Sequence, residues 1–243
     1  MLLLFQQKGK YLCEKWKKEQ NIRTISGKSE VTHMFRYDSP FMRLMTLFAN
    51  LVILNLLWLL CCLPVITAGA ATASAYYVVF RWLTKEDDAV IKPFFKAFRQ
   101  NFRPVTPIFV LNALVGAAMA AEIVYLSADS SALLRIIFAV IFFIFAAFTS
   151  WLYPIAGRYD SPMRQVMLNS ITLTLRHPLT SLAVSLLNLL PGILFLFFEP
   201  LFWQSSILWI FIGFAAVALL NGYQLLRVFR RYDSPEQEEL HEH

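Results

Sequence analysis

Residues 44–63 read LMTLFANLVILNLLWLLCCL, twenty positions without a charged side chain. A helix rises 1.5 Å per residue, so a run of about 20 apolar residues crosses the roughly 30 Å hydrocarbon core of a bilayer. Working outward, three more uncharged runs meet the same test: Ile136–Tyr153, Leu179–Phe198 and Ser205–Leu226. Val105–Leu126 carries one charge, Glu122. Val65–Leu83 follows the first run after Pro64 alone and is rich in small residues, from Ala68 and Gly69 to Ala75. By length it either crosses or dips in and returns.

The whole chain agrees with this start. Of its 243 residues 58% are hydrophobic and 16% charged, whereas a soluble domain carries about 25% charged residues. Such apolar content excludes disorder. The 3 cysteines cannot staple a secreted scaffold, since Cys61 and Cys62 are adjacent in an apolar run and Cys13 stands alone. No secretory signal is recognisable, because Met1–Phe5 is too short an apolar core and the basic run follows it.

Basic residues orient the spans, since Lys and Arg collect in short cytoplasmic loops. Nine precede Leu44, six lie in 81–104, three in 154–178 and three after the last span, leaving Arg135. If Val65–Leu83 crosses, all four groups share one face. The expected architecture is therefore an all-α polytopic membrane protein. It has six transmembrane helices in three hairpins, turning near Pro64, Asp129 and Pro200, with both termini cytoplasmic. The net charge of +6 is then an orientation signal and gives no reason to expect nucleic-acid binding. Three regions follow: a basic segment 1–33, a helical membrane domain 34–230, and a cytoplasmic tail 231–243. Residues 1–33 are either an over-extended start, with Met34 as the natural beginning, or a basic arm for anionic lipid.

Two cytoplasmic segments carry an amphipathic pattern suited to lying in the interface. In 91–103, Ile91, Phe94, Phe98 and Phe102 recur at helical spacing, and Lys92, Lys96, Arg99 and Arg103 form a basic stripe on another face. In 162–176, Met163, Met167, Ile171 and Leu175 stand opposite Arg164, Gln165, Asn169 and Thr172. Each segment reaches a basic residue and a proline before a span, so 91–126 and 162–198 read as equivalent units.

The pentapeptide Arg-Tyr-Asp-Ser-Pro occurs three times, at 36–40, 158–162 and 231–235. Asp or Ser suits a helix N-cap and Pro the first turn, so the motif reads first as a device for starting helices at the membrane surface. The other reading is a docking surface made by Arg36, Asp38, Arg158, Asp160, Arg231 and Asp233. Charges in or beside spans are functional candidates by default. Glu122, Arg135 and Glu199 fall near the outer ends, and they either stabilise the rim or line a polar vestibule for a solute. Asn55, Asn112, Asn188 and Asn221 place amides within spans, where helix bridging is the ordinary role. Gly69/Ala73, Ala71/Ala75, Gly116/Ala120 and Ala117/Ala121 are small-residue pairs that allow close helix approach.

The first hairpin carries a family likeness. Leu54-Asn55-Leu56-Leu57-Trp58, Leu63-Pro64-Val65-Ile66-Thr67 with Gly69, Ala71-Thr72-Ala73 and Tyr76-Tyr77 resemble the YesL-like family, small bacterial integral membrane proteins of unknown function. Phe98-Arg99-Gln100-Asn101-Phe102 and Arg158–Pro162 also match the pattern, so the likeness extends over about residues 34–230. The resemblance implies genes that neighbour carbohydrate uptake and degradation systems, and it implies no catalytic residues. Phosphate-binding, zincin and nucleophile-elbow signatures are missing from the sequence, as is the E-A-A-x₃-G loop of ABC importer permeases. The expected protein is a non-enzymatic accessory or regulatory partner of a sugar ABC-type system in the bacterial cytoplasmic membrane, with no cofactor or metal. A small solute transporter or substrate-binding membrane subunit is the alternative.

Overall fold

The computed structural model describes residues 40–86, 89–125 and 132–233, and among these the regular structure is helical throughout. The helices are α1 (Pro40–Cys62), α2 (Ala68–Leu83), α3 (Ile91–Tyr125), α4 (Ala132–Arg158), α5 (Met163–Arg176), α6 (Pro178–Phe197), α7 (Glu199–Leu208) and α8 (Phe214–Asp233). A short 3₁₀ turn, Val65–Thr67, precedes α2, and a π-helical segment, Trp209–Gly213, joins α7 to α8. Residues 46–225 form one compact unit, and 1–45 with 226–243 form another. In the second unit the described residues are the start of α1 and the end of α8.

Among the described residues, five stretches are long and apolar enough to cross a membrane: Leu44–Cys62, Ile91–Met119, Ile136–Arg158, Pro178–Phe195 and Pro200–Asp233. The chain is thus a helical membrane protein in contact with lipid. Many large apolar side chains are accordingly exposed, among them Leu60, Leu114, Ile136, Ile144 and Ile207. The expected sixth span, Val65–Leu83, is divided into the 3₁₀ turn and the 16 residues of α2.

Small side chains put α2 at the centre of the larger unit. From Gly69 to Phe80 every residue is buried except Thr72 and Tyr77, which are half-buried. Its neighbours α3 and α4 pack directly on it. A Cβ at Gly157 of α4 would collide with the Ala73 carbonyl oxygen, so only glycine lets the two backbones approach this closely. Gly222 of α8 does the same, where a Cβ would stand 2.6 Å from Val79 Cγ1. The small pairs Gly69/Ala73 and Ala71/Ala75 are buried as expected, but Ala117 and Ala121 of α3 are exposed.

Helix ends depart from expectation in three places. Residues 91–103 are not a separate interfacial helix; they are the first turns of the continuous 35-residue α3, which contains Pro104 and Pro107. Proline removes one hydrogen bond from a helix, and membrane helices tolerate this where neighbours re-satisfy the freed carbonyl. The counterpart segment does break, at His177, giving α5 and α6 as distinct helices, so the two units are not equivalent. At the second pentapeptide, Pro162 itself is the N-cap of α5 and no side chain caps the helix. Pro162 instead accepts backbone bonds from Gln165 and Val166. On α5, Val166, Asn169, Ser170 and Leu173 are buried, while Ile171 and Leu175 of the apolar stripe are exposed. Asn169, expected on the polar side opposite that stripe, is thus part of the packed side.

The end of α2 is built by backbone chemistry. Glu86 N–H donates to Arg81 C=O at 3.0 Å and Lys85 N–H to Trp82 C=O at 3.1 Å, the paired bonds of a Schellman motif. Lys85 holds the left-handed conformation that the motif requires, with φ 56°.

Candidate functional site

Of the three charged residues at the span ends, the Glu122 side chain alone lies within the described parts. Glu122 is exposed near the end of α3 and has no ion-pair partner among the described residues. Arg135 and Glu199 belong to α4 and α7, but their side chains lie outside the described parts. Of the pentapeptide residues, Arg36 and Asp38 also lie outside the described residues. Arg158 ends α4, and its guanidinium sits 5.5 Å from the centres of the Phe80 and Tyr159 rings. Such cation–π packing ties the end of α4 to α2. Asp160 is exposed in the following turn, and Arg231 and Asp233 are exposed in the last turn of α8.

The basic stripe is exposed, with a changed composition. Lys92, Lys96, Arg99 and Arg103 all face outward, while Phe94 and Ala97 are buried. Phe95 and Phe102 are exposed among the cations, so aromatic and basic residues interleave on one face. Phe95, Lys96, Arg99, Phe102 and Arg103 line an open trough there.

Inside the bundle, uncharged polar groups form a connected cluster. Asn221 Nδ2 of α8 donates to Asn188 Oδ1 of α6 at 2.7 Å and to Tyr76 Oη of α2 at 3.3 Å. Asn188 Nδ2 donates in turn to Ser150 Oγ of α4 at 3.1 Å. Ser185 Oγ lies 3.4 Å from Ser150 Oγ, and one turn back Ser181 Oγ accepts from the indole of Trp151 at 2.7 Å. Four helices are thereby tied together by amides, hydroxyls and an indole with no formal charge. Each such bond contributes about 0.6 kcal/mol, and up to about 1.7, within a membrane.

A second amide serves the backbone. The π segment carries i→i+5 bonds in place of i→i+4, which leaves carbonyl and amide groups without their usual partners. Asn55 of α1, fully buried, supplies them. Its Nδ2 donates to Trp209 C=O at 3.2 Å and Ile210 C=O at 2.6 Å, and its Oδ1 accepts from Ala215 N–H at 2.9 Å. Around it, Trp58 packs on Phe214 with ring centres 4.5 Å apart, and its indole donates to Thr72 Oγ1 at 3.1 Å.

Between the cluster and the π segment lies a cavity of about 90 Å³. Its walls include Trp58, Thr72, Tyr76, Asn188, Trp209 and Phe214.

Three of the four span asparagines therefore bridge helices as expected. The fourth, Asn112 of α3, stands beside the Tyr153 hydroxyl of α4, but its buried Nδ2 has no acceptor in hydrogen-bond geometry among the described residues. Sequence reasoning passed over Tyr76, Ser150, Trp151, Ser181 and Ser185. The available signal was Ser181, Ser185 and Asn188 at i, i+4 and i+7 of an otherwise apolar helix, a single polar stripe.

Part of this region falls within a known family model. Residues 51–123 match the family described as Protein of unknown function, DUF624. The DUF624 match runs from the middle of α1 through α2 and most of α3, and so includes Asn55, Trp58, Thr72 and Tyr76. Neither a curated protein nor a solved structure matches the chain.

Proposed function

We propose that the protein is a non-enzymatic accessory or regulatory subunit of the bacterial cytoplasmic membrane, working with a carbohydrate-uptake system of the ABC type. The observation that supports this reading is the outward face at the start of α3. The helix has 35 residues, about 52 Å at 1.5 Å each, against a hydrocarbon core of about 30 Å. Its basic end extends past the lipid tails, and it presents Lys92, Lys96, Arg99 and Arg103 with Phe95 and Phe102 between them. Exposed aromatic and arginine side chains are the residues that carry binding energy in protein interfaces. The cations select an acidic partner surface. In this reading α2 crosses the membrane, giving six spans with both termini and all four basic groups in the cytoplasm. The resemblance to YesL-like proteins, compatible with the DUF624 match, supplies the expected partner.

Co-purification from native membranes tests the reading. Wild type is expected to bring down transporter subunits in fixed ratio, and the double variant Lys96→Glu, Arg99→Glu to lose them at unchanged membrane abundance. Equal recovery by both proteins would overturn it. The uncharged polar cluster favours a second reading, a small solute transporter or substrate-binding membrane subunit. Uptake of a sugar by the purified chain alone in liposomes would decide for that reading.

A further inference from the structure

The polar cluster is not saturated. Tyr76 is buried and lines the cavity. Its hydroxyl accepts from Asn221, and no acceptor for its own proton is found among the described residues. Asn221 is fully buried, and its Oδ1 has no donor among the described residues. Asn188 spends one amide hydrogen on Ser150, which leaves the second available, and it lines the cavity. A hydroxyl and a primary amide can each donate, so Tyr76 and Asn188 offer two donors at one wall of the cavity. In a water-poor setting an unmade hydrogen bond costs more than in water. The opposite wall is aromatic, from Trp58, Trp209 and Phe214. No charged residue lines the cavity, so a charged ligand would enter without a counter-ion at prohibitive cost.

We propose that this cavity binds an uncharged hydroxyl group. The group is presented either by a small alcohol or polyol from water or by a hydroxyl-bearing lipid from the bilayer. The volume of about 90 Å³ equals roughly three water molecules, enough for the hydroxyl-bearing carbons of such a molecule but not for a large headgroup. Tyr76 and Asn188, which both line the cavity, hold the hydroxyl as donors, and the aromatic wall covers the carbon side. The assignment rests on the cavity and stands whether or not the chain transports anything.

The test uses the full chain in phosphatidylcholine nanodiscs, with tryptophan fluorescence as readout because Trp58 and Trp209 form the cavity wall. One arm titrates propane-1,2-diol in solution, and the other raises the content of monooleoylglycerol in the bilayer. A saturable change is expected in one arm, and which arm responds identifies the source. Tyr76→Phe removes the hydroxyl and keeps the ring, so half-saturation should rise about tenfold, the equivalent of one neutral hydrogen bond. Ala218→Leu leaves the cluster untouched and fills the cavity, so the response should vanish. Thermal unfolding of both variants shows that they are folded. No saturable response in either arm would overturn the proposal, and so would a wild-type response that survives Tyr76→Phe.

Discussion

Asn55 Nδ2 stands 2.6 Å from the Ile210 carbonyl oxygen, so a side chain of α1 completes the backbone of a helix more than 150 residues away. The same amide takes up Trp209 C=O and Ala215 N–H. Replacing Asn55 with Leu would orphan three backbone groups, and the two buried ones, on Trp209 and Ala215, cost about 1–3 kcal/mol each. Asn55→Leu is therefore expected to lower the thermal unfolding midpoint of the detergent-solubilised protein by many degrees. Asn55→Asp should be no milder, because two of the three groups are carbonyls and need a donor. Retention of wild-type stability by either variant would show that the π segment does not depend on this residue.

Gly157 and Gly192 make a matched pair. A Cβ at Gly157 meets the Ala73 carbonyl, whereas one at Gly192 meets nothing within 4 Å. Gly157→Ala is expected to separate α4 from α2 and to cost on the order of 1–3 kcal/mol, as overpacking does. Gly192→Ala should stabilise by about 0.5–1 kcal/mol, through the helix preference of alanine. Thermal unfolding of the two variants side by side checks the sign of each.

Lys85 occupies a position where glycine is usual, with φ 56°. A left-handed residue with a Cβ costs roughly 1–2 kcal/mol. Lys85→Gly is expected to recover about 1 kcal/mol, seen as a raised unfolding midpoint. An unchanged or lowered midpoint would mean that the lysine side chain contributes enough to outweigh the strain.

Single-cysteine labelling tests whether α2 crosses. After replacement of Cys13, Cys61 and Cys62, a cysteine at Val65 should react with an impermeant thiol reagent added outside cells. Cysteines at Lys85 and Arg164 should react only from the inside. Outside labelling at position 85 would place α2 as a re-entrant segment.

What the sequence made legible was whatever hydropathy alone decides. Leu44–Leu63 and Ile136–Tyr153 read as spans because nothing but lipid suits such runs, and the structure has helices there. Breaks were less legible. Arg103-Pro104 and His177-Pro178 look alike, yet the first continues within α3 and the second ends a helix, because tertiary packing determines whether a missing N–H is tolerated. On α5 the apolar residues Ile171 and Leu175 point outward, as an interfacial helix requires, but the opposite side was less legible, since its polar Asn169 is buried. Within the candidate site, Asn55, Asn188 and Asn221 stood out singly as amides in apolar runs. Their partners Ser150 and Tyr76 are ordinary span residues, and pairings such as Tyr76 with Asn221 cross 145 positions. No local pattern encodes them.

The enclosure of α2 has a consequence for how the protein is made. This helix is synthesised early, but the glycines that let other helices close on it, Gly157 and Gly222, are added only much later. Until then its alanine-rich surface faces lipid or water, with little hydrophobicity of its own to hold it. Early in its life the chain is therefore an unfinished assembly whose second helix waits for partners, and a truncation before Gly157 should leave that segment without a fixed place and open to quality-control proteolysis.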